Sequence, residues 1–377
     1  MSAWTRHDVT GEDYLHHFSP YQPTLNLRNP IVVEDILKTV RFYKNLGVAG
    51  FRVDAIDHLF HDELFRDNPL VSDMTRENLT LGSDAFIKPF NRQLHSHDIM
   101  QMDPTLQFMR QIRRAAGENA LLIAEVSSQR KPTTVSHRVA LYTRAGQFDS
   151  AYTLRLVRER RLAVSMFSQI YESLTAETPY NGIPGRMCWA TQCHDEKRRE
   201  HAEATAEFYL YLCLVLPGDK CLYYGEERGQ RNDLSLADND SYGRAPARGK
   251  MSWDDELERQ QEDPNSFLSR YRRAVGFWRR NRSFLSNCTV ELIDAPNALR
   301  VVCHNSQQSM QFIFNGSSQP SEQKLYGMPP FYKDTVTVLS GTSQGLSPFD
   351  DLHLILPPQS IVQLEGPPLP GAYQRTA

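Results

Sequence analysis

Three acidic residues stand where apolar runs end. Asp54 closes GVAGFRVD, Glu125 closes ALLIAE, and Asp195 follows CWATQCH, at spacings of 71 and 70 residues. In a parallel α/β architecture the carboxyl ends of the strands share one rim, where side chains converge on a site. Neighbouring strands run about 4.8 Å apart, close to the ~5–5.5 Å carboxyl separation that lets one carboxylate act as a nucleophile and another as an acid. Arg52 lies two residues before Asp54 and so on the same strand face, where it would hold that carboxylate ionised and aimed. His194 directly precedes Asp195. Taken singly, an Asp after a strand is commonly a helix cap, an Arg-x-Asp pair a structural ion pair, and a lone His a packed or surface residue. The three acids, the arginine and the histidine together are harder to explain that way.

The elements that must position these groups follow from periodicity. Val32–Leu46 has helical spacing ended by Gly47, and Gly47–Asp54 reads as a strand. A helix over Pro104–Ala116 leads to a continuous apolar strand, Ala120–Val126. Phe148–Leu154 is a weaker strand, Met187–Gln192 a further one, and Ala202–Leu216 an apolar helix stopped by Pro217-Gly218. Cys221–Gly225 closes the series. Helices alternating with continuous apolar strands imply parallel strands buried on both faces, in a doubly wound sheet or a (β/α) barrel. The polar stretches 59–103 and 231–262 have the character of active-site loops. After a last helix at Asn265–Arg280 come short alternating strands: Thr289–Leu292, Ala298–His304, Met310–Asn315, His353–Leu356 and Ile361–Leu364. These form a small all-β module, and the tail from Pro367 is expected to be frayed.

Composition narrows the class. The 377 residues suit one large domain plus a small one, and 40% hydrophobic residues suffice for a sizeable core. Lys and Arg total 42 against 45 Asp and Glu, so there is no basic footprint for nucleic acid and no polybasic membrane patch. The longest apolar run, Phe208–Leu216, is far short of the ~20 residues needed to span a bilayer. Six cysteines without a CxxC pair argue for buried thiols in a reducing compartment, against a zinc site or a disulfide scaffold. The N-terminal residues show no secretory signal, which leads to a cytoplasmic expectation. No GxGxxG or GxxxxGK[ST] follows a strand, so no redox cofactor or nucleotide is expected.

The segments GFRVDA (50–55), AEV (124–126), CHDEKR (193–198) and LPGDKCLYYGEERG (216–229) resemble those of the α-amylase superfamily of glycoside hydrolases (glycoside hydrolase family 13). The nearest resemblance is to the α-glucosidases and oligo-1,6-glucosidases. SAWTRHDVTGEDYLHHFSPYQPTLNLRNP (2–30) looks like the end of that family's inserted domain, and GRAPARGKMSWD (243–254) resembles its DPxxRTPMxWD segment. The resemblance implies a retaining double displacement on short malto-oligosaccharides or related α-glucosides. Asp54 matches the nucleophile, Glu125 the general acid/base and Asp195 the third acid that binds sugar hydroxyls. Arg52, His194 and Arg198 match substrate-site residues. Ala55 after the nucleophile position resembles members that cleave α-1,4 links. The implied partner is a disaccharide or small oligosaccharide, with no nucleic acid and no membrane.

The pattern is broken in places. Cys193 replaces the Asn of the family's NHD, and Ala245 and Lys250 replace the Asp and Pro of the DPxxRTPMxWD segment. Thr24 replaces the acid of QPDLN, so the calcium some members bind is not supported here and no metal is expected. The family's first three barrel strands have no counterpart. The expected architecture is therefore a partial (β/α)8 TIM barrel of about strands 4–8 with a C-terminal β-sandwich. Residues 1–30 end an inserted subdomain, 31–284 form the partial barrel and 285–377 the β domain. Open barrel edges predict weak activity and self-association. Two rival readings stand beside hydrolysis: a transglycosylase or isomerase of the same family, similar to trehalose synthase or sucrose isomerase, and a non-catalytic truncated relative.

Overall fold

A computed structural model describes residues 3–66, 102–126, 138–143, 147–158, 186–199, 203–239, 243–286, 288–295, 298–316, 319–324, 337–341, 353–356 and 360–367. These fall into two compact units, one holding the described residues up to Thr153 together with Arg186, the other Leu154–Arg158 and those from Met187 onward. Most of the polar stretch 59–103 and the tail after Pro367 lie outside the described residues.

The first unit opens with an antiparallel hairpin, β1 (Trp4–Arg6) and β2 (Asp13–Leu15). Helix α1 (Pro30–Asn45) begins two residues before its apolar periodicity, because the Asn29 side chain accepts from the Ile31 amide and Pro30 supplies a helical φ. It leads to β3 (Gly50–Val53), a shorter strand than the sequence suggests, which leaves Asp54 just beyond its end. Helix α2 (Met102–Ala116) precedes β4 (Leu121–Val126), and β5 (Ser150–Thr153) follows. The three strands run parallel in the order β3–β4–β5, with Arg52 opposite Ile123 and Glu125 opposite Tyr152. Strand alternation therefore puts Arg52 and Glu125 on one face. Gly50 permits the pairing, since a Cβ there would stand 2.2 Å from the Leu121 carbonyl oxygen. Arg113 ties α2 to the strand entries, donating to the Gln147 and Ala120 carbonyls at 2.7 and 2.6 Å and to Asp149 at 2.7 Å. Asp149 in turn accepts from the Leu122 amide at 2.7 Å.

In the second unit β6 (Met187–Ala190) runs parallel to β7 (Asp219–Cys221), with Cys188 opposite Asp219. The apolar pattern places this last strand at Cys221–Gly225; the structure instead ends it at Cys221. Gly218, at φ +107°, lies against the Met187 backbone and turns the chain directly into pairing. Gly225, at φ +75°, already opens the 3-10 turn Glu226–Arg228. From Phe208 to Val215, helix α3 (Glu203–Val215) is apolar on every side because these residues are all buried. It packs on the long helix α5 (Phe267–Leu285), which follows α4 (Asp255–Glu262), and on the β module, where Phe208 meets Phe314 at 5.0 Å.

The β module runs β8 (Thr289–Ala295), β9 (Ala298–His304), β10 (Ser309–Asn315), β11 (Ser321–Lys324), β12 (Thr337–Ser340), β13 (His353–Leu356) and β14 (Ser360–Gly366). Five of these form a sheet ordered β12–β14–β10–β9–β8, while β11 and β13 form an antiparallel ribbon. Ile313, Val362 and Leu364 from the sheet cluster with Leu354 and Leu356 from the ribbon. Among the described residues no helix is long and apolar enough to cross a membrane, and no group of three His, Cys, Asp or Glu is placed to hold a metal ion.

Candidate active site

In the first unit the strand ends bring Arg52, Asp54 and Glu125 together. Arg52 is the bridge: its Nη1 lies 2.5 Å from Asp54 Oδ1 and its Nη2 2.9 Å from Glu125 Oε1. The guanidinium also stands 5.7 Å from the centre of the Tyr152 ring. The second oxygen of Glu125 accepts a 2.9 Å hydrogen bond from the Ala55 amide. Burial separates the two acids, for the Asp54 side chain is 74% exposed and that of Glu125 only 5%. Burial pushes the Glu125 carboxyl up to about 7, helped by the neighbouring Asp54 and opposed by the Ala55 amide and Arg52. A buried acid poised near neutrality thus stands beside an exposed carboxylate.

The backbone at Ala55 is unusual. Its φ of 42° and ψ of 46° are left-handed, a conformation that costs a residue with a Cβ roughly 1–2 kcal/mol. This turn aims the Ala55 amide at Glu125 and starts the 3-10 turn Ile56–His58. Within that turn Asp57 is buried, accepting from the Tyr142 hydroxyl at 2.6 Å and pairing with Arg138 Nη1 at 3.1 Å. Burial and the facing Asp57 hold the Tyr142 phenol well above its usual range, so it remains a donor. A cavity of about 500 Å³ opens beside the cluster, lined by Arg52, Asp54 and His58 and by apolar side chains such as Phe18, Phe51 and Phe108.

The second unit holds Asp195 in a cluster of its own. One oxygen accepts from Arg244 Nη1 at 3.1 Å and Arg248 Nη2 at 2.9 Å; the other lies 3.3 Å from His194 Nε2. Arg248 Nε also donates to the His194 carbonyl at 2.9 Å. Cys193 occupies the place of the family's amide, and its sulfur accepts from the Asp195 amide at 3.4 Å. Burial pushes that thiol up to about 11, so it stays neutral. Arg198 directs its donors to backbone, reaching the Ala247 carbonyl at 3.0 Å and that of Tyr224 at 2.8 Å, with the Tyr223 and Tyr224 rings 4.5 and 4.7 Å away. These contacts tie Arg198 to the loops that carry Tyr224 and Ala247. Glu226 is buried, takes the Thr191 hydroxyl and the Tyr223 amide, and is pushed up to about 7 by its burial.

The sequence pattern does not single out Asp57, Glu226, Arg244 or Arg248, and it marks Ala55 only through the resemblance to α-1,4-cleaving members. For Ala55 no side-chain signal exists, because it acts through its amide. Arg244 precedes and Arg248 ends the short 3-10 turn Ala245–Arg248, and they lie 49 and 53 residues from Asp195, beyond the reach of any local pattern.

The parallel β/α units and the β module that follows them are, by the family match and the structural likeness given next, those of a (β/α)-barrel protein with a C-terminal domain. The chain belongs to the family described as alpha amylase, catalytic domain, which matches residues 1–269. A probable alpha-glucosidase of Rhizobium meliloti (strain 1021) is 27% identical over 370 residues, covering 86% of this chain and 65% of that protein. The alpha-glucosidase of Apis mellifera is 26% identical over 272 residues, covering 68% of this chain and 45% of that protein. The amino acid transporter heavy chain SLC3A1 of Mus musculus is 27% identical over 269 residues, covering 67% and 37%. The chain therefore spans less than two thirds of the length of each of these relatives. Among solved structures, the alpha-glucosyl transfer enzyme XgtA superposes with a TM-score of 0.80 at 25% identity, covering 97% of this chain and 72% of that one. The trehalulose synthase MutB from Pseudomonas mesoacidophila MX-45 gives 0.74 at 19% identity, over 97% and 73%, a likeness of fold alone.

Proposed function

We propose that this chain is a glycoside hydrolase acting on α-glucosidic bonds of short malto-oligosaccharides or related α-glucosides by a retaining double displacement. The observation that carries the reading is the shared arginine: Arg52 bridges an exposed Asp54 and a buried Glu125 whose carboxyl is pushed up to about 7. Asp54 attacks the anomeric carbon while Glu125 gives its proton to the departing glycosidic oxygen. The glucosyl group stays esterified to Asp54. Glu125, now a carboxylate, takes a proton from water as the water oxygen attacks the same carbon and Asp54 leaves. Asp195 and His194 bind sugar hydroxyls in this scheme. The same reading takes residues 1–30 as the end of an inserted subdomain, 31–284 as the catalytic barrel portion and 285–377 as a β-sandwich.

Replacing Asp54 by Asn deletes the nucleophile while keeping the side chain's shape. The expected outcome is loss of p-nitrophenyl α-glucoside hydrolysis by several orders of magnitude with an unchanged circular dichroism spectrum. Equal turnover in Asp54→Asn and the parent refutes the assignment. A second reading, glucosyl transfer to a sugar acceptor, is favoured by the similarity to an enzyme described as one of alpha-glucosyl transfer. It shares the first half-reaction and differs in the acceptor. The ratio of transfer product to free glucose, measured with added maltose, distinguishes the two.

A further inference from the structure

The turn that follows Asp54 is held in a left-handed conformation that an alanine does not adopt unaided, and conformations of this kind persist where their surroundings enforce them. The enforcement is visible. The His58 amide donates to the Ala55 carbonyl at 2.8 Å, and Ile56 is wholly buried. Between them the Asp57 carboxylate has no exposed side-chain surface, with the Tyr142 hydroxyl at 2.6 Å on one oxygen and Arg138 at 3.1 Å on the other. Tyr142 and Arg138 belong to a helical segment remote in sequence, so the clamp fixes the turn to the body of the unit. An aspartate three residues after a strand-end acid would ordinarily cap or face solvent; here it does neither.

We propose that Asp57, clamped between Tyr142 and Arg138, is a positioning residue that holds the 54–58 turn so that the Ala55 amide stays aimed at Glu125. The inference rests on the reading of Glu125 as the acid/base and assigns a device that sets its protonation. Glu125 faces Arg52 from β3, Asp54 and the Ala55 amide beyond that strand, and Tyr152 from β5. Two of these, the amide and the guanidinium, stabilise its charged form. Releasing the turn withdraws the amide and leaves burial and Asp54 less opposed, so Glu125 holds its proton to higher pH.

The test uses Tyr142→Phe, which removes one donor and keeps the packing, and Asp57→Asn, which removes the charge, both in the full chain. Two readouts are followed: the pH dependence of kcat/KM on p-nitrophenyl α-glucoside, and the titration of Glu125 by isotope-edited infrared spectroscopy, with Glu125→Gln as the subtraction reference. The Glu125 titration and the basic limb of the profile are expected to move up by roughly 0.5–1 pH unit. kcat should fall about 10-fold or more, because the released turn carries the nucleophile Asp54, while KM should change less, since Tyr142 and Asp57 do not line the cavity. A Glu125 titration within 0.2 pH unit of the parent in Tyr142→Phe overturns the proposal, as does activity lost only in proportion to unfolded protein. Should Asp57→Asn fail to fold, Tyr142→Phe decides. If no α-glucoside is turned over by the parent, the functional reading fails, and the infrared titration still decides the role of Asp57.

Discussion

The Arg52 guanidinium serves two carboxyl groups whose needs differ. Asp54 must remain an anion, and a cation at 2.5 Å favours that. Glu125 must hold a proton when the glycosidic oxygen leaves, and the same cation at 2.9 Å works against it. Burial wins that contest and leaves Glu125 near 7. The acid form is present below that value, so kcat/KM should decline as pH rises through about 7. Replacing Arg52 by Gln removes the cation, and the decline should then begin at higher pH. kcat/KM should drop at the same time by roughly 10²–10³, since the nucleophile loses its orienting partner. A pH–rate series on both proteins checks this; a limb moving downward would show that Arg52 does not stabilise the Glu125 anion. Arg52, Asp54 and Glu125 were legible because alternation along a strand fixes their face. The Ala55 amide was not, since it is a property of φ and ψ, and the arginines on Asp195 were not, since chain reversal brings them there.

At the scale of elements, strand and helix placement followed the apolar pattern wherever packing follows it too. The errors cluster where a backbone device decides. Pro30 and the Asn29 cap lengthen α1, and Gly218 pulls β7 forward to Asp219. Strands β11 and β12 escaped notice because SEQK and TVLS are too short or too polar to show alternation. Arg113 shows the other kind of hidden constraint, a buried cation that no hydrophobic pattern reveals. Its side chain is 6% exposed and meets three carbonyls, of Gln147, Gly117 and Ala120, and Asp149. Arg113→Ala strands those acceptors and should lower the unfolding free energy by about 3 kcal/mol. Asp149→Ala should cost less, because Asp149 is itself 41% exposed. Urea unfolding of both variants measures the difference, and equal effects would show that the carbonyl contacts of Arg113 contribute nothing.

For the molecule as a whole, composition bounded the class, and collinear motifs reached the family. What neither showed is that, among the described residues, each compact unit encloses a glutamate at odds with its surroundings: Glu125 in the first and Glu226 in the second, both pushed from an ordinary 4.5 to about 7 by burial. A folded-state pKa above the unfolded one means that the native protein binds the proton more tightly. The stability that this contributes is fully present below about 4.5 and is lost as pH rises through about 7. Exposed acids such as Asp254 and Glu256, held down by Arg228 and Arg259, act in the opposite sense toward acid. The comparison that isolates the buried group is therefore between parent and Glu226→Gln. The amide is neutral at every pH and keeps an oxygen for the Thr191 hydroxyl. Relative to the parent, the variant should gain up to about 2–3 kcal/mol between pH 4.5 and 7, then hold a constant advantage above 7. Glu125→Gln should do the same for the first unit alone, so a protein with two resolved unfolding transitions should respond in one and not the other. Denaturant melts at pH 5, 6, 7 and 8 measure this. A pH-independent difference between parent and Glu226→Gln would mean that Glu226 is not protonated on folding and that its burial is relieved by other means.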